Sequence, residues 1–335
     1  MINSIQILRI VAAFGVVMAH YELFGLRAGG FGVDIFFIIS GFIIAFVVNY
    51  STKVFMKKRI ARVVPLYAFA TLLTTALALI KPEWFKNVIV NSEAVIKSLL
   101  YIPYRIESSG PILSLGWTLN NEMFFYIIMA ICILLVKNKK YLALICGLIV
   151  LVIFVILNLI QTDSYILNFY ASGLLPEFVM GILAYFIWKY LKKNENKTTQ
   201  NLLIGLAIVS LIFMIYVDLT GEFKVISRNI WRGIPSFFVV LGTLMCEKYI
   251  NSESKFTKFF VEMGDASYVM YLFHPYVLFG LERIVYPKVF GSTESVFIEL
   301  VKFSIMVILL FVVCLYLYRF LDKPMAKYTR KLLKA

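Results

Sequence analysis

The signatures of the common soluble catalysts are missing from this chain. It holds no glycine-rich phosphate loop, no G-x-S-x-G nucleophile turn and no H-E-x-x-H zinc helix. Neither a heptad array nor an internal repeat organises it. P-loop, serine-hydrolase and zinc-protease readings are thereby set aside. Cysteine is sparse, and Cys132, Cys146, Cys246 and Cys314 all lie within or at the ends of apolar stretches. With no C-x-x-C and no nearby histidine pair, they read as small core residues rather than a disulfide framework or a metal site. Charge is also scarce, at 16% of residues. No basic n-region or A-x-A site marks a cleavable leader, so the first apolar stretch is expected to stay as a span.

Apolar residues are abundant instead. They make up 61% of the 335 residues, with a mean hydropathy of +0.87, against roughly 45–50% in a soluble domain. The expected fold class is an all-α polytopic membrane protein, with about ten transmembrane helices in a single bundle. The expected spans are 5–25, 31–50, 64–81, 119–136, 141–160, 171–190, 201–218, 230–247, 266–286 and 296–318. One membrane domain then covers 1–335, with a basic loop at 51–63, a long external loop at 82–118 and a tail at 319–335. The middle of the chain names no substrate, and Glu177 and Arg232 near span ends read as snorkelling residues.

The net charge of +14 invites a nucleic-acid reading, which the placement of the basic residues rejects. They fall in alternate connections: Lys53, Lys57, Lys58, Arg59 and Arg62, then Lys137, Lys139 and Lys140, then Lys189, Lys192, Lys193 and Lys197. Lys248, Lys255 and Lys258 follow, and then a tail with Arg319, Lys323, Lys327, Arg330, Lys331 and Lys334. This is a positive-inside pattern with both termini cytoplasmic, and its partners are membrane lipids rather than nucleic acid.

Ionisable residues inside such spans are costly and point to function. The first span carries Arg9 and His20, and helical steps of about 100° bring both to one face, roughly 16 Å apart along the axis. An antiparallel return puts Asp34 of the second span near the depth of His20. Glu122 follows Trp117 and Thr118 at the outer end of the fourth span, where Thr118 reads as an N-cap with a first-turn acid behind it. Arg59 and Arg62 share a helix face just before Pro65, which is expected to open the third span. They serve either as positive-inside anchors or as a fork for phosphates. In the ninth span His274-Pro275 breaks the hydrogen-bond ladder, and the freed carbonyls need a partner. That favours a structural histidine over a catalytic one.

An arginine and, after ten residues, a histidine in the first span are followed by GVDIFFIISGF, KKRIARVVPLY, GWTLNNEMFFY, MGDASYVMYLFHP and FLDKP. In that order these blocks resemble the integral membrane acyltransferase-3 family across nearly the whole chain. The resemblance implies a ten-span enzyme of the cell membrane that takes an acyl group, usually acetyl, from cytoplasmic acyl-CoA. It passes the group to a hydroxyl of an extracytoplasmic or lipid-linked glycan. The chain is expected to lack the SGNH domain that some family members append. Asp322 stands where the family pattern more often has glutamate, and it carries little weight.

On this resemblance the catalytic residues are His20, Glu122 and Asp34. His20 acts as general base or as a transient acyl carrier, and either acid serves as its partner. Arg9, Arg59, Arg62 and Ser40 hold the acyl donor, with Arg9 alternatively pairing an internal acid. Trp117, Tyr126 and His274 contact the acceptor. The donor is acyl-CoA, acetyl-CoA by the resemblance, and no metal is implied. A homodimer is compatible with it. Two competing readings stay open: a proton-coupled transporter or exporter of a glycan precursor, built on the same buried charges, and a structural subunit of a glycan-assembly complex.

Overall fold

Long apolar runs leave the backbone no hydrogen-bond partner but itself, and the chain answers with helices. The structure, a computed structural model, describes residues 2–335 except 25, 51, 86, 108, 161, 172, 195, 223–226 and 292–294. The helices are α1 (Asn3–His20), α2 (Gly32–Tyr50), α3 (Phe55–Ile80), α4 (Ser92–Leu99), α5 (Gly116–Leu135), α6 (Leu142–Leu159), α7 (Tyr165–Tyr170) and α8 (Leu175–Asn194). Then follow α9 (Lys197–Thr220), α10 (Ile234–Met245), α11 (Lys255–Asp265), α12 (Ser267–Gly280), α13 (Tyr286–Phe290), α14 (Val296–Leu317) and α15 (Lys323–Leu333). Among the described residues there is no β-strand, and nine helical segments are long and apolar enough to cross a membrane. The protein is an all-α, multi-pass membrane protein. The stretch expected as the ninth span is helical in three consecutive pieces: α12, a π-helical turn at Leu281–Val285, and α13.

Three local expectations change. Helix α3 starts at Phe55, so the basic KKRIAR segment is helical and Pro65 lies inside the helix rather than opening it. Lysine and arginine are good helix formers and extend the apolar run outward. Helix α5 starts at Gly116, which puts Thr118 inside it, its hydroxyl donating to the Leu115 carbonyl at 3.0 Å, and moves Glu122 to the second turn. Thr118 is therefore no N-cap. The short amphipathic α11 occupies part of the basic connection that holds Lys255 and Lys258 and runs to Asp265, ahead of the stretch expected as the ninth span.

The chain forms two compact units, each assembled from segments distant in sequence: residues 1–36 with 188–321, and 37–187 with 322–335. In the first unit α1 packs on α10, α11 and α12, α12 packs on α14, and α9 on α10. The start of α1 is capped from afar, the N–H groups of Asn3 and Ser4 donating to Glu247 Oε1 (3.0 Å) and Oε2 (2.6 Å). A carboxylate there answers both the orphan donors and the positive helix end.

In the second unit α3 packs on α4, α5 and α15, and α5 on α6. Helices α2 and α8 touch backbone to backbone: a Cβ on Gly41 would lie 2.1 Å from the Phe178 carbonyl oxygen, and one on Gly181 2.1 Å from that of Ile38. Phe178 is sandwiched there between Phe37 and Phe125, with ring centroids 4.9 and 4.2 Å away. The 82–118 stretch has a small core of its own, where Ala94, Tyr104 and Ile112 pack together. The Ser98 and Tyr104 hydroxyls meet at 3.0 Å, and the Ile112 N–H donates to Ser98 Oγ at 3.1 Å. Burial pushes the Tyr101 and Tyr104 phenols up from their ordinary values, opposed at Tyr104 by the Ser98 hydroxyl. Both are protonated at neutral pH.

Candidate active site

The chain has two histidines, and the first unit brings them together. His20 is the last residue of α1, and its Nδ1 lies 2.8 Å from the Val16 carbonyl. A carbonyl can only accept, so Nδ1 carries the proton and the neutral ring keeps its lone pair on Nε2. His274 repeats the pattern deeper in the protein. Pro275 has no N–H, which leaves the Tyr271 carbonyl without its helical partner. His274 Nδ1 supplies one, at 2.9 Å from that oxygen and 3.2 Å from the Met270 carbonyl. The His274 ring is fully buried, and its Nε2 has no hydrogen-bond partner among the described residues. The two ring centroids lie 5.1 Å apart, with the planes tilted by 54°.

Two arginine clamps fasten the chain that joins His20 to α2. Asp34, fully buried in the first turn of α2, accepts from Arg228 Nε on one oxygen (2.8 Å) and Nη2 on the other (2.9 Å). Asp218 accepts from the Gly29 and Gly30 N–H groups (2.8 and 3.0 Å) and from Arg232 Nη2 (2.6 Å). Gly29 takes φ +109°, and a Cβ there would sit 2.3 Å from the Gly15 carbonyl oxygen of α1, so only glycine fits. Arg232 is thus a half-buried ion-pair partner rather than a snorkelling residue. Arg9, half-buried in α1, donates from Nη1 to Gln6 Oε1 at 3.1 Å.

The second unit gathers Ser40, Glu122, Tyr126 and Arg59 into one cluster. Ser40 Oγ donates to Glu122 Oε1 at 3.1 Å, and the Tyr126 hydroxyl, one helical turn further along α5, donates to the same oxygen. The Arg59 guanidinium lies 5.8 Å from the Tyr126 ring centroid and 5.7 Å from that of Phe55. Its Nε is buried with no hydrogen-bond partner among the described residues. Arg62 turns to another partner, donating from Nη1 to Asp322 Oδ2 at 2.9 Å, and Asp322 is nearly fully buried. Trp117, at the start of α5, offers its carbonyl to Asn121 Nδ2 at 3.2 Å.

Sequence reasoning passed over Arg228, Asp218 and the partnership of Asp322. The one available signal was a pair of arginines four residues apart, Arg228 and Arg232, beside an apolar run, with Asp218 as an isolated acid in another. The four cysteines are free thiols. No group of three or more His, Cys, Asp or Glu residues fit to hold a metal occurs among the described residues.

By fold and site this is a multi-pass membrane protein with titratable side chains gathered inside its helices, a class that holds both carriers and group-transfer enzymes. Comparison with known proteins decides between them. The acyltransferase domain model matches residues 2–319, and the chain belongs to the integral membrane acyltransferase-3 family. It is an acyltransferase acting on groups other than aminoacyl groups. The chain is 30% identical to the exopolysaccharide production protein ExoZ of Rhizobium meliloti, over 75% of this chain and 77% of that protein. It is 26% identical to the peptidoglycan O-acetyltransferase OatA of Listeria monocytogenes, over 82% of this chain and 49% of the relative. With the O-acetyltransferase OatA of Staphylococcus aureus it shares 25% identity, over 96% of this chain and 56% of the relative. It spans about half the length of these two O-acetyltransferases. No solved structure matches.

Proposed function

We propose that the protein is an O-acyltransferase of the cell membrane, with both termini cytoplasmic, that moves an acetyl group from cytoplasmic acetyl-CoA to a hydroxyl of an envelope glycan. Family membership and the printed activities of its relatives support group transfer over transport. The observation that carries the chemistry is the tautomer of His20: with Nδ1 held by the Val16 carbonyl at 2.8 Å, the neutral ring presents Nε2 as a base. His20 Nε2 takes the proton of the acceptor hydroxyl as its oxygen bonds to the thioester carbonyl carbon. The carbon–sulfur bond then breaks, and the proton passes to the departing sulfur, leaving the ester and a free thiol.

Arg59 serves the phosphates of the acyl donor, and Arg9 and Arg62 are further donor-side residues. Ser40, Glu122 and Tyr126, joined through one carboxylate oxygen, serve the donor's flexible arm, and Trp117 and His274 serve the acceptor. Asp34 is committed to Arg228 by both oxygens, which supports a role in holding the first hairpin and leaves Glu122 as the functional acid.

Mass spectrometry of the envelope glycans tests the reading. Cells lacking the protein, and cells carrying His20→Ala at equal membrane abundance, should both lose the same acyl mass. Unchanged glycan masses in the deletion would refute acyl transfer to this acceptor class, and wild-type acylation in His20→Ala would remove His20 as the base.

A further inference from the structure

The proline in α12 gives His274 an apparent structural task, and that task leaves one half of its ring unexplained. Capping the Tyr271 carbonyl that Pro275 orphans uses Nδ1 alone. An imidazole chosen only for that purpose would bury its second nitrogen, a strong acceptor, with nothing to accept from. A buried acceptor without a partner costs free energy. Among the described residues Nε2 has no hydrogen-bond partner, yet the ring lies 5.1 Å, centroid to centroid, from the only other histidine. While His20 is neutral it holds its own lone pair on Nε2 and offers His274 no proton. Once His20 has taken a proton from a hydroxyl, its ring carries two N–H groups and one positive charge.

We infer that His274 is a positioning residue for the transfer reaction: its Nε2 lone pair receives the imidazolium of His20 and stabilises the charge that appears there as the acceptor hydroxyl is deprotonated. This rests on the reading of His20 as the base. The interaction arises only while His20 carries the charge, so it favours the transition state over the resting enzyme, which is the condition for accelerating a step rather than tightening binding. Proton count is conserved throughout. The proton lost by the hydroxyl resides on His20 Nε2 and returns to the departing sulfur, and no further reactant is consumed.

Substitution can separate the structural half of the ring from the acceptor half. His274→Asn places an amide N–H where Nδ1 stood, keeping the cap on the Tyr271 and Met270 carbonyls, and removes the lone pair at Nε2. His274→Thr does the same with a hydroxyl, which bonds helix carbonyls three and four residues back. Each variant is compared with wild type and His20→Ala for transfer of radiolabelled acetyl from acetyl-CoA to the envelope glycan fraction in native membrane vesicles. Protein abundance and thermal stability in detergent are read alongside.

The expected result is a stable His274→Asn protein whose kcat falls about 100-fold while KM for acetyl-CoA stays within about threefold of wild type, the size of a lost acid–base contribution. A stable His274→Asn with kcat within about threefold of wild type, alongside an inactive His20→Ala, overturns the inference and leaves His20 as the base. A raised KM for acetyl-CoA with kcat retained also overturns it, by making His274 a donor contact. An active His20→Ala overturns the base reading and this inference with it. Should His274→Asn fail to accumulate, His274→Thr decides by the same criteria.

Discussion

Arg59 and Arg62 sit three positions apart on one helix, and their surroundings divide them. Arg62 is bound to a carboxylate whose side chain is 2% exposed, so truncating it strips a buried acid of that guanidinium, a change that costs about 3–5 kcal/mol at buried pairs. Arg59 lies over two buried aromatic rings, contacts worth about 2 kcal/mol when desolvated, and keeps donor capacity for a phosphate. Arg62→Ala should therefore lower the thermal unfolding midpoint in detergent by several degrees. Arg59→Ala should lower the midpoint less than Arg62→Ala does and raise KM for acetyl-CoA about tenfold or more. Equal loss of stability in both variants, with KM unmoved, would refute the division. The sequence made the candidate residues legible, because 3.6-residue periodicity alone aligns Arg9 with His20 and Arg59 with Arg62. It could not disclose their partners. Asp322 lies 260 residues from Arg62, and nothing in either local pattern encodes that meeting.

At the level of elements, helix existence followed directly from apolar run length, and helix ends did not. Hydropathy falls off at Lys57 and Lys58 while helix propensity does not, so α3 continues past the edge of its apolar run. The loss of hydrogen bonding at Pro65 is tolerated within it. How closely two helices approach was equally hidden, although the residues responsible were visible. Gly41 and Gly181 let α2 and α8 meet at backbone contact, the small-residue packing that membrane helices use in place of a hydrophobic drive. Gly41→Ala would force a methyl group to 2.1 Å from a carbonyl oxygen, and should cost about 1–3 kcal/mol or more, the penalty of overpacking. Gly205→Ala is the matched control, because α9 leaves open space around that position, and alanine gains up to about 1 kcal/mol of helix propensity there. Thermal unfolding of the two variants should separate them clearly, and equal midpoints would refute the packing argument.

For the molecule as a whole, the excess of basic residues argues an orientation that site-directed labelling can check. With Glu83→Cys in the long loop and Lys193→Cys in the basic last turn of α8, both at exposed positions, a membrane-impermeant maleimide should modify the first in intact cells. The second should react only after lysis, and the reverse pattern would invert the proposed topology. The clamps on the first hairpin set a further demand, on synthesis rather than on the finished protein. Asp34 waits for Arg228, 194 residues later, a gap that translation at about 5–20 residues per second fills in about 10–40 s. Throughout that interval a helix bearing a carboxylate has already left the ribosome while its counter-charge has not been made. The nascent hairpin must be sheltered by the insertion machinery until the later half of the chain arrives to claim it.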